Sequence, residues 1–178
     1  WFGKQVEYVK AVDGVSLGCA AQDESNVMML TLGTGVGGGI IMNKKSFLGG
    51  NGHGRGPGHT TIVMDGEQCT CGLRGCLEAY ASVTALIRDT IRAMEADPDS
   101  LMWQSCGGDT AKVDGRTSFE AAKLGDDAAK RVVYHYIHYH STSVSDSVTR
   151  LRLVVIIRGA RFVDPGDYPL AVLRAELL

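Results

Sequence analysis

The chain has 178 residues and no apolar run approaching the roughly 20 residues that cross a bilayer. Its opening, Trp1-Phe2-Gly3-Lys4-Gln5, lacks the charged-then-apolar order of a secretory signal, so the sequence reads as soluble and cytoplasmic. Neither sign of charge is in excess. Eighteen Lys and Arg against 20 Asp and Glu give a formal net charge of −2, which argues against binding to a nucleic-acid backbone or an anionic membrane surface. Five cysteines, an odd number, argue against a complete disulfide framework. No repeat or low-complexity segment is present. What the chain does have is glycine: 23 residues, 14 of them between Gly33 and Gly75. Glycine concentrated in so short a stretch points to a site built from backbone.

Three of the cysteines crowd into Cys69-Thr-Cys71-Gly-Leu-Arg-Gly-Cys76, where Gly72 and Gly75 supply the tight turn that lets the sulfurs converge. A Cys69–Cys71 disulfide would close a strained small ring, whereas zinc accepts this spacing. Structural zinc takes four ligands, and His59 stands ten residues before Cys69. The natural reading is a His/Cys3 zinc site; buried reduced thiols are the alternative. Cys19 and Cys106 read as core thiols.

Residues Asn26 to Leu32 form a β-prone apolar run, and a second strand starts at Gly39 to Met42 after a glycine turn, so the pair predicts a hairpin. Phe47 to Gly58 is too glycine-rich for a regular element and reads as an irregular loop at a ligand site. Thr60 to Met64 predicts a strand ending at Asp65-Gly66. From Leu77 to Met94, apolar residues at Leu77, Tyr80, Val83, Leu86, Ile87, Ile91 and Met94 keep the spacing of one helix, ended by Asp97-Pro98-Asp99. Ser105 to Gly115 is a polar connection. Thr117-x-x-Glu120 resembles a capping box for a short helix that stops near Gly125, and Asp126 opens a longer helix reaching Val148. Leu153 to Ile157 has the continuous apolar character of a buried central strand, broken at Arg158-Gly159-Ala160. Leu170 to Leu178 predicts a final helix. The pattern is α/β.

Leu32-Gly33-Thr34-Gly35-Val36-Gly37-Gly38-Gly39-Ile40 lies between two predicted strands, and its backbone N–H groups and the Thr34 hydroxyl suit a phosphate. It has no P-loop lysine and does not lead into a helix, so neither a Walker A loop nor a dinucleotide fingerprint is supported. A tight hairpin without a ligand is the alternative reading. His135 and His138, with His140 close behind, fall on a predicted helix; a half-exposed helix face explains them better than a metal site. His53 reads as a solvated loop residue.

Together, Thr31 to Ile41, Gly58-His59 and Cys69-x-Cys71-Gly-x-x-Gly-Cys76-Leu-Glu78-Ala-Tyr-Ala-Ser82 resemble the ROK family of sugar kinases and sugar-responsive repressors, in wording nearest to its glucokinases. The resemblance is strong from about Asn26 to Ile87 and weaker towards the C-terminus. It implies an actin-like, ribonuclease H-like ATPase fold with a zinc knuckle, of which residues 1–178 would form a single C-terminal-type lobe, the N-terminal lobe with its Asp-x-Gly-Gly-Thr segment being absent. It also implies a dimer or tetramer that binds a sugar and uses ATP with Mg as co-substrate, while the balanced charge and the lack of a long apolar run argue against a nucleic-acid or membrane partner. His59, Cys69, Cys71 and Cys76 would hold a structural zinc, with His59 also facing the sugar. Glu78 would accept hydrogen bonds from sugar hydroxyls, a role suited to an acceptor-only carboxylate. Gly35, Gly37 and Gly38 would lie against the ATP phosphates and Gly159 against the adenosine.

Several positions depart from the family pattern. Aligning Leu17-Gly18 with the family's Leu-Gly puts Ala11 where the catalytic aspartate belongs, so Asp13 could serve as base only if the register slips by two. Gly56 stands where the family's Gly-Glu-x-Gly-His has its glutamate, and the late Gly-Gly-Gly reads Arg158-Gly159-Ala160. The resemblance therefore implies a glucokinase-like phosphoryl transfer to the 6-hydroxyl of a hexose, with little activity from this chain alone. The rivals are a non-catalytic sugar-binding module, such as a repressor's sensor or a degenerate kinase, and a purely structural zinc-bound assembly domain.

Overall fold

The computed structural model of the chain describes residues 6–10, 25–47, 56–151 and 154–159. Its sheet is organised around β2 (Val27–Leu32), where Val27, Met28, Met29, Leu30 and Leu32 are all buried. Burial of successive residues means that both faces of this strand are covered, the signature of an interior position. The other strands are β1 (Val6–Lys10), β3 (Val36–Met42), β4 (Lys45–Ser46) and β5 (Val154–Gly159). They lie in the order β1-β5-β2-β3-β4. β5 runs parallel to both β1 and β2, while β2 and β3 form an antiparallel hairpin.

The helices are α1 (Glu78–Ala81), α2 (Val83–Ala96), α3 (Met102–Ser105), α4 (Thr117–Lys123) and α5 (Asp127–Leu151). They fill the crossover from the hairpin back to β5, the kind of long connection that parallel strands require. One apolar cluster joins Met28 and Leu30 of β2 to Leu86 and Met94 of α2, Phe119 of α4, and Val133, Ile137 and Val144 of α5. The α/β class expected from the sequence is the class observed.

Five local expectations need correction, one of them in β5 (Val154–Gly159). The second hairpin strand begins at Val36, three residues earlier than expected, so Gly37 to Gly39 belong to the strand and the turn is only Gly33-Thr34-Gly35. Thr60 to Met64 is no sheet strand: Thr61 makes an isolated bridge to Cys76, and the Ile62 and Val63 amides both donate to the Gly75 carbonyl, at 2.8 and 3.2 Å. Those hydrogen bonds commit the segment to the knuckle. The single helix expected over Leu77 to Met94 is two, because Ser82 is extended (φ −85°, ψ 162°) and its Oγ caps α2 by accepting from the Ala85 amide at 3.1 Å. The capping box at α4 lies three residues earlier than Thr117-x-x-Glu120. The Thr117 amide donates to Asp114 Oδ1 at 3.2 Å, and the Asp114 amide donates back to Thr117 Oγ1 at 3.1 Å.

Other expectations stand. α2 ends with Asp97 as its C-cap, and α5 starts after Asp126, whose Oδ1 accepts the Ala129 amide at 2.7 Å. The polar connection after α3 contains one 3-10 turn, Thr110–Lys112. β5 takes the interior position predicted for Leu153 to Ile157 but continues through Gly159 instead of breaking at Arg158. Cys106 is a buried core thiol. Ala11, Asp13, Cys19, His53 and the helix expected over Leu170 to Leu178 lie outside the described residues.

Candidate active site and metal knuckle

The knuckle is shaped by tight backbone turns. The Cys69 amide donates to the Leu73 carbonyl (2.9 Å), Gly72 donates to Cys69 (3.1 Å) and Gly75 donates to Glu67 (2.8 Å). Gly75 has φ +76°, and a Cβ there would run into the Val63 carbonyl oxygen, so only glycine fits. Tyr80 fastens the knuckle from below: its hydroxyl accepts the Glu67 amide at 2.6 Å and its ring packs on Tyr139 with centroids 4.8 Å apart.

His59 enters from a 3-10 turn over Pro57–His59 and brings its ring against the sulfurs. The ligand atoms of His59, Cys69, Cys71 and Cys76 all lie within 4.8 Å of one another; among the described residues this is the group placed to hold a metal ion. His59 Nδ1 is 3.6 Å from Cys69 Sγ, and Cys71 Sγ is 3.6 Å from Cys76 Sγ. Nitrogen and sulfur ligands around a tetrahedral zinc stand about 3.6 to 3.8 Å apart, so the spacing fits. The donor chemistry agrees. Burial pushes the Cys76 thiol up to about 12, and Cys71 and Cys69 add to the shift, because three thiols this close cannot ionise together without a compensating cation. None of the three is in a disulfide.

Glu78, the first residue of α1, sits between the knuckle and the hairpin. Its Oε1 accepts the Thr70 hydroxyl at 2.8 Å and lies 3.7 Å from Cys69 Sγ. Its Oε2 accepts the Val36 amide at 3.0 Å. Gly35 makes this approach possible, since a Cβ there would stand 2.5 Å from Oε2. The hairpin turn is further held by the N-terminus of α2, where the Val83 amide donates to the Gly33 carbonyl (2.9 Å) and the Thr84 hydroxyl to the Thr34 carbonyl (2.7 Å).

Register brings the glycine turn and Gly159 to the same edge. Lys10 of β1 and Leu32 of β2 both pair with Gly159 of β5. The three parallel strands thus end together, with the glycine turn following directly from Leu32. Ligands in parallel α/β sheets bind at the carboxyl ends of strands, and this edge carries the hairpin. Among the singled-out glycines, Gly35 is in the turn beside Glu78, whereas Gly37 and Gly38 pair with Thr31 and Leu30 within the ladder. His135 and His138 are exposed on α5, where His138 stacks on Tyr134 with the planes 15° apart. His140 is buried instead.

Reading the residues alone missed Thr70, Val36 and Thr84. Thr70 carried a usable signal, being the residue between two candidate ligands. The contacts of Val36 and Thr84 span 42 and 50 residues, and nothing local announces them.

The fold and site therefore define an α/β domain with a metal-competent His/Cys3 knuckle joined through one carboxylate to a glycine hairpin. The chain belongs to the ROK family, whose model matches residues 9–177. It is 35% identical over 136 residues to a glucokinase of Thermotoga maritima, covering 70% of this chain and 43% of that protein. It is 36% identical over 134 residues to an N-acetylmannosamine kinase of Yersinia pestis, covering 75% and 41%. A solved ROK family glucokinase from Streptomyces griseus, in complex with glucose and AMPPNP, superposes with a TM-score of 0.75 at 31% identity, over 87% of this chain and 50% of that one. The chain thus spans under half the length of these curated relatives.

Proposed function

We propose that this chain is the C-terminal-type lobe of an actin-like, ATP-dependent hexose kinase that phosphorylates the 6-hydroxyl of glucose or a related sugar. The observation that carries the reading is the convergence on Glu78: one carboxylate touches both the knuckle bearing His59 and the glycine hairpin suited to phosphates. A sugar bound there would lie beside the phosphate cradle, which in-line transfer requires. The similarity to glucokinases and an N-acetylmannosamine kinase supports the same chemistry class.

In this reading His59, Cys69, Cys71 and Cys76 would hold a zinc ion, which would supply structure and orient the His59 ring, leaving its other nitrogen for a sugar hydroxyl. Glu78 Oε2 accepts one hydrogen bond and retains a lone pair for a substrate hydroxyl; Oε1 accepts the Thr70 hydroxyl and the Cys69 thiol, and a Cys69 thiolate on zinc would free its second lone pair. The hairpin turn offers backbone amides to the phosphates of ATP with its Mg ion, and Gly159, with no side chain, leaves room for the adenosine. Asp13 would take the proton from the attacking hydroxyl.

The test is metal analysis of the purified chain, calorimetric titration with glucose, N-acetylmannosamine and ATP, and a coupled phosphorylation assay. The expected result is one zinc per chain, heat with at least one hexose and little turnover from these 178 residues alone. No zinc together with no sugar heat would sink the reading, and robust turnover would sink its last part. Ala11 at the family's base position favours one second reading, a sugar-binding module without catalysis. Asp13→Asn distinguishes the two, because it abolishes residual turnover only if Asp13 is the base.

A further inference from the structure

The contacts of Glu78 do more than line a sugar site. Thr70 lies between Cys69 and Cys71, two members of the metal-competent group, so an ion held by both sulfurs fixes the Thr70 backbone from either side. The Thr70 hydroxyl donates 2.8 Å to Glu78 Oε1, and Glu78 Oε2 accepts the Val36 amide at 3.0 Å. Val36 is buried and begins β3 directly after the glycine turn. An unbroken path therefore runs from the ligand cluster through one hydroxyl and one carboxylate to the hairpin backbone.

The two links from the knuckle to Glu78 are not equivalent. Cys69 reaches Oε1 through its sulfur at 3.7 Å, and that sulfur is itself a ligand atom. The Thr70 bond uses no ligand atom and stays compatible with a loaded knuckle. It runs from a hydroxyl to a carboxylate oxygen, a kind of hydrogen bond stronger than one between neutral groups. Glu78 Oε2 fills the place a Gly35 side chain would take.

We propose that Thr70 and Glu78 are positioning residues that couple metal occupancy of the His59/Cys69/Cys71/Cys76 knuckle to the geometry of the glycine hairpin. Loading fixes Thr70, Thr70 orients the Glu78 carboxylate, and the carboxylate holds the Val36 amide so that the turn keeps the shape a phosphate needs. Loss of the ion loosens the hairpin even though no ligand belongs to it. The inference rests on the reading of the knuckle as a zinc site.

The experiment measures zinc content first and then amide hydrogen exchange at Val36 in the isotopically labelled 178-residue chain, with Leu86 in α2 as control. The comparison covers wild type, Thr70→Val, Thr70→Ser and Glu78→Gln, each with zinc and after chelation. In wild type, chelation is expected to speed Val36 exchange roughly tenfold, the scale of losing one charge-assisted hydrogen bond, with a much smaller change at Leu86. Thr70→Val should still hold one zinc yet exchange at Val36 at the rate of stripped wild type. Thr70→Ser should restore protection, and Glu78→Gln should lose the dependence on zinc. Wild-type protection at Val36 in zinc-loaded Thr70→Val would overturn the coupling, as would indifference of wild-type Val36 to chelation. Failure of Thr70→Val to bind zinc would overturn it too, by placing Thr70 in the metal site itself. A wild-type chain that binds no zinc at all fails the metal reading, and the coupling with it; the metal measurement identifies that case.

Discussion

Glu78 Oε2 lies 3.0 Å from the Val36 amide, at the one point where Gly35 leaves space for it. This contact joins the helix that follows the cysteine knuckle to the hairpin that precedes it by 42 residues.

Gly35→Ala tests how closely that join is fitted. The added methyl would stand 2.5 Å from Oε2 and 3.2 Å from the Glu78 Cδ, so the carboxylate must swing away. The loss of a charge-assisted hydrogen bond should cost about 2 kcal/mol in stability while zinc content stays at wild-type level. Thermal unfolding and metal analysis on the same sample check both halves.

Cys76→Ser removes the most deeply buried member of the knuckle, which is fully excluded from solvent. The variant should lose zinc and with it several kcal/mol of stability, because metal binding in such a site is part of the folding free energy. Proteolysis should then open the segment between Ile62 and Gly75, whose turns depend on the closed knuckle. A Cys76→Ser chain as protease-resistant as wild type would contradict this.

His140 sets an acid limit on stability. Its ring is buried and packs edge-on against Tyr136 at 4.7 Å. Burial pushes its pKa down from 6.5 to about 4, against a smaller opposing pull from the Ala81 backbone. Between those values the unfolded chain binds the extra proton, so stability is fully present above about pH 6.5 and falls as pH drops towards 4. The loss from this one group is about 3 kcal/mol. His140→Phe, which keeps an aromatic ring beside Tyr136, should flatten that part of a melting-temperature profile.

Asp126 joins two helices that the sequence places far apart. Its Oδ1 caps α5 through the Ala129 amide, while Oδ2 accepts the Ser100 hydroxyl at 2.8 Å and the Leu101 amide at 2.6 Å. Burial alone would raise its pKa, but these bonds from Ala129, Ser100 and Leu101 hold the carboxyl below its ordinary value. Asp126→Ala should cost about 2 kcal/mol. Asp126 contributes above the ordinary carboxylate pKa, and that contribution is lost as pH falls through the lowered one. Denaturant titrations of Asp126→Ala and wild type at a series of pH values should therefore show their difference narrowing as pH falls below the ordinary carboxylate range.

Where local chemistry dominates, the sequence was readable. The Cys69, Cys71 and Cys76 spacing with Gly72 and Gly75 marked the knuckle, and the apolar period marked α2 and α5, because both depend on residues within a few positions of one another. Boundaries shifted where a backbone group had a competing partner. Ser82 divided one expected helix by capping the next, and Gly75 drew the Ile62 and Val63 amides away from the sheet.

By itself the sequence determined the chemistry available: a His/Cys3 donor set, a carboxylate two residues after the last cysteine, and a glycine turn between two apolar runs. Only the tertiary structure decided that Glu78 reaches Val36, that Thr84 holds Thr34, and that Lys10 and Leu32 both flank Gly159. Those relations depend on parallel strand register and on how a helical layer closes over the sheet. They span tens of residues, and no local propensity encodes such a distance; it is set when the buried faces of β2, α2 and α5 find one common packing.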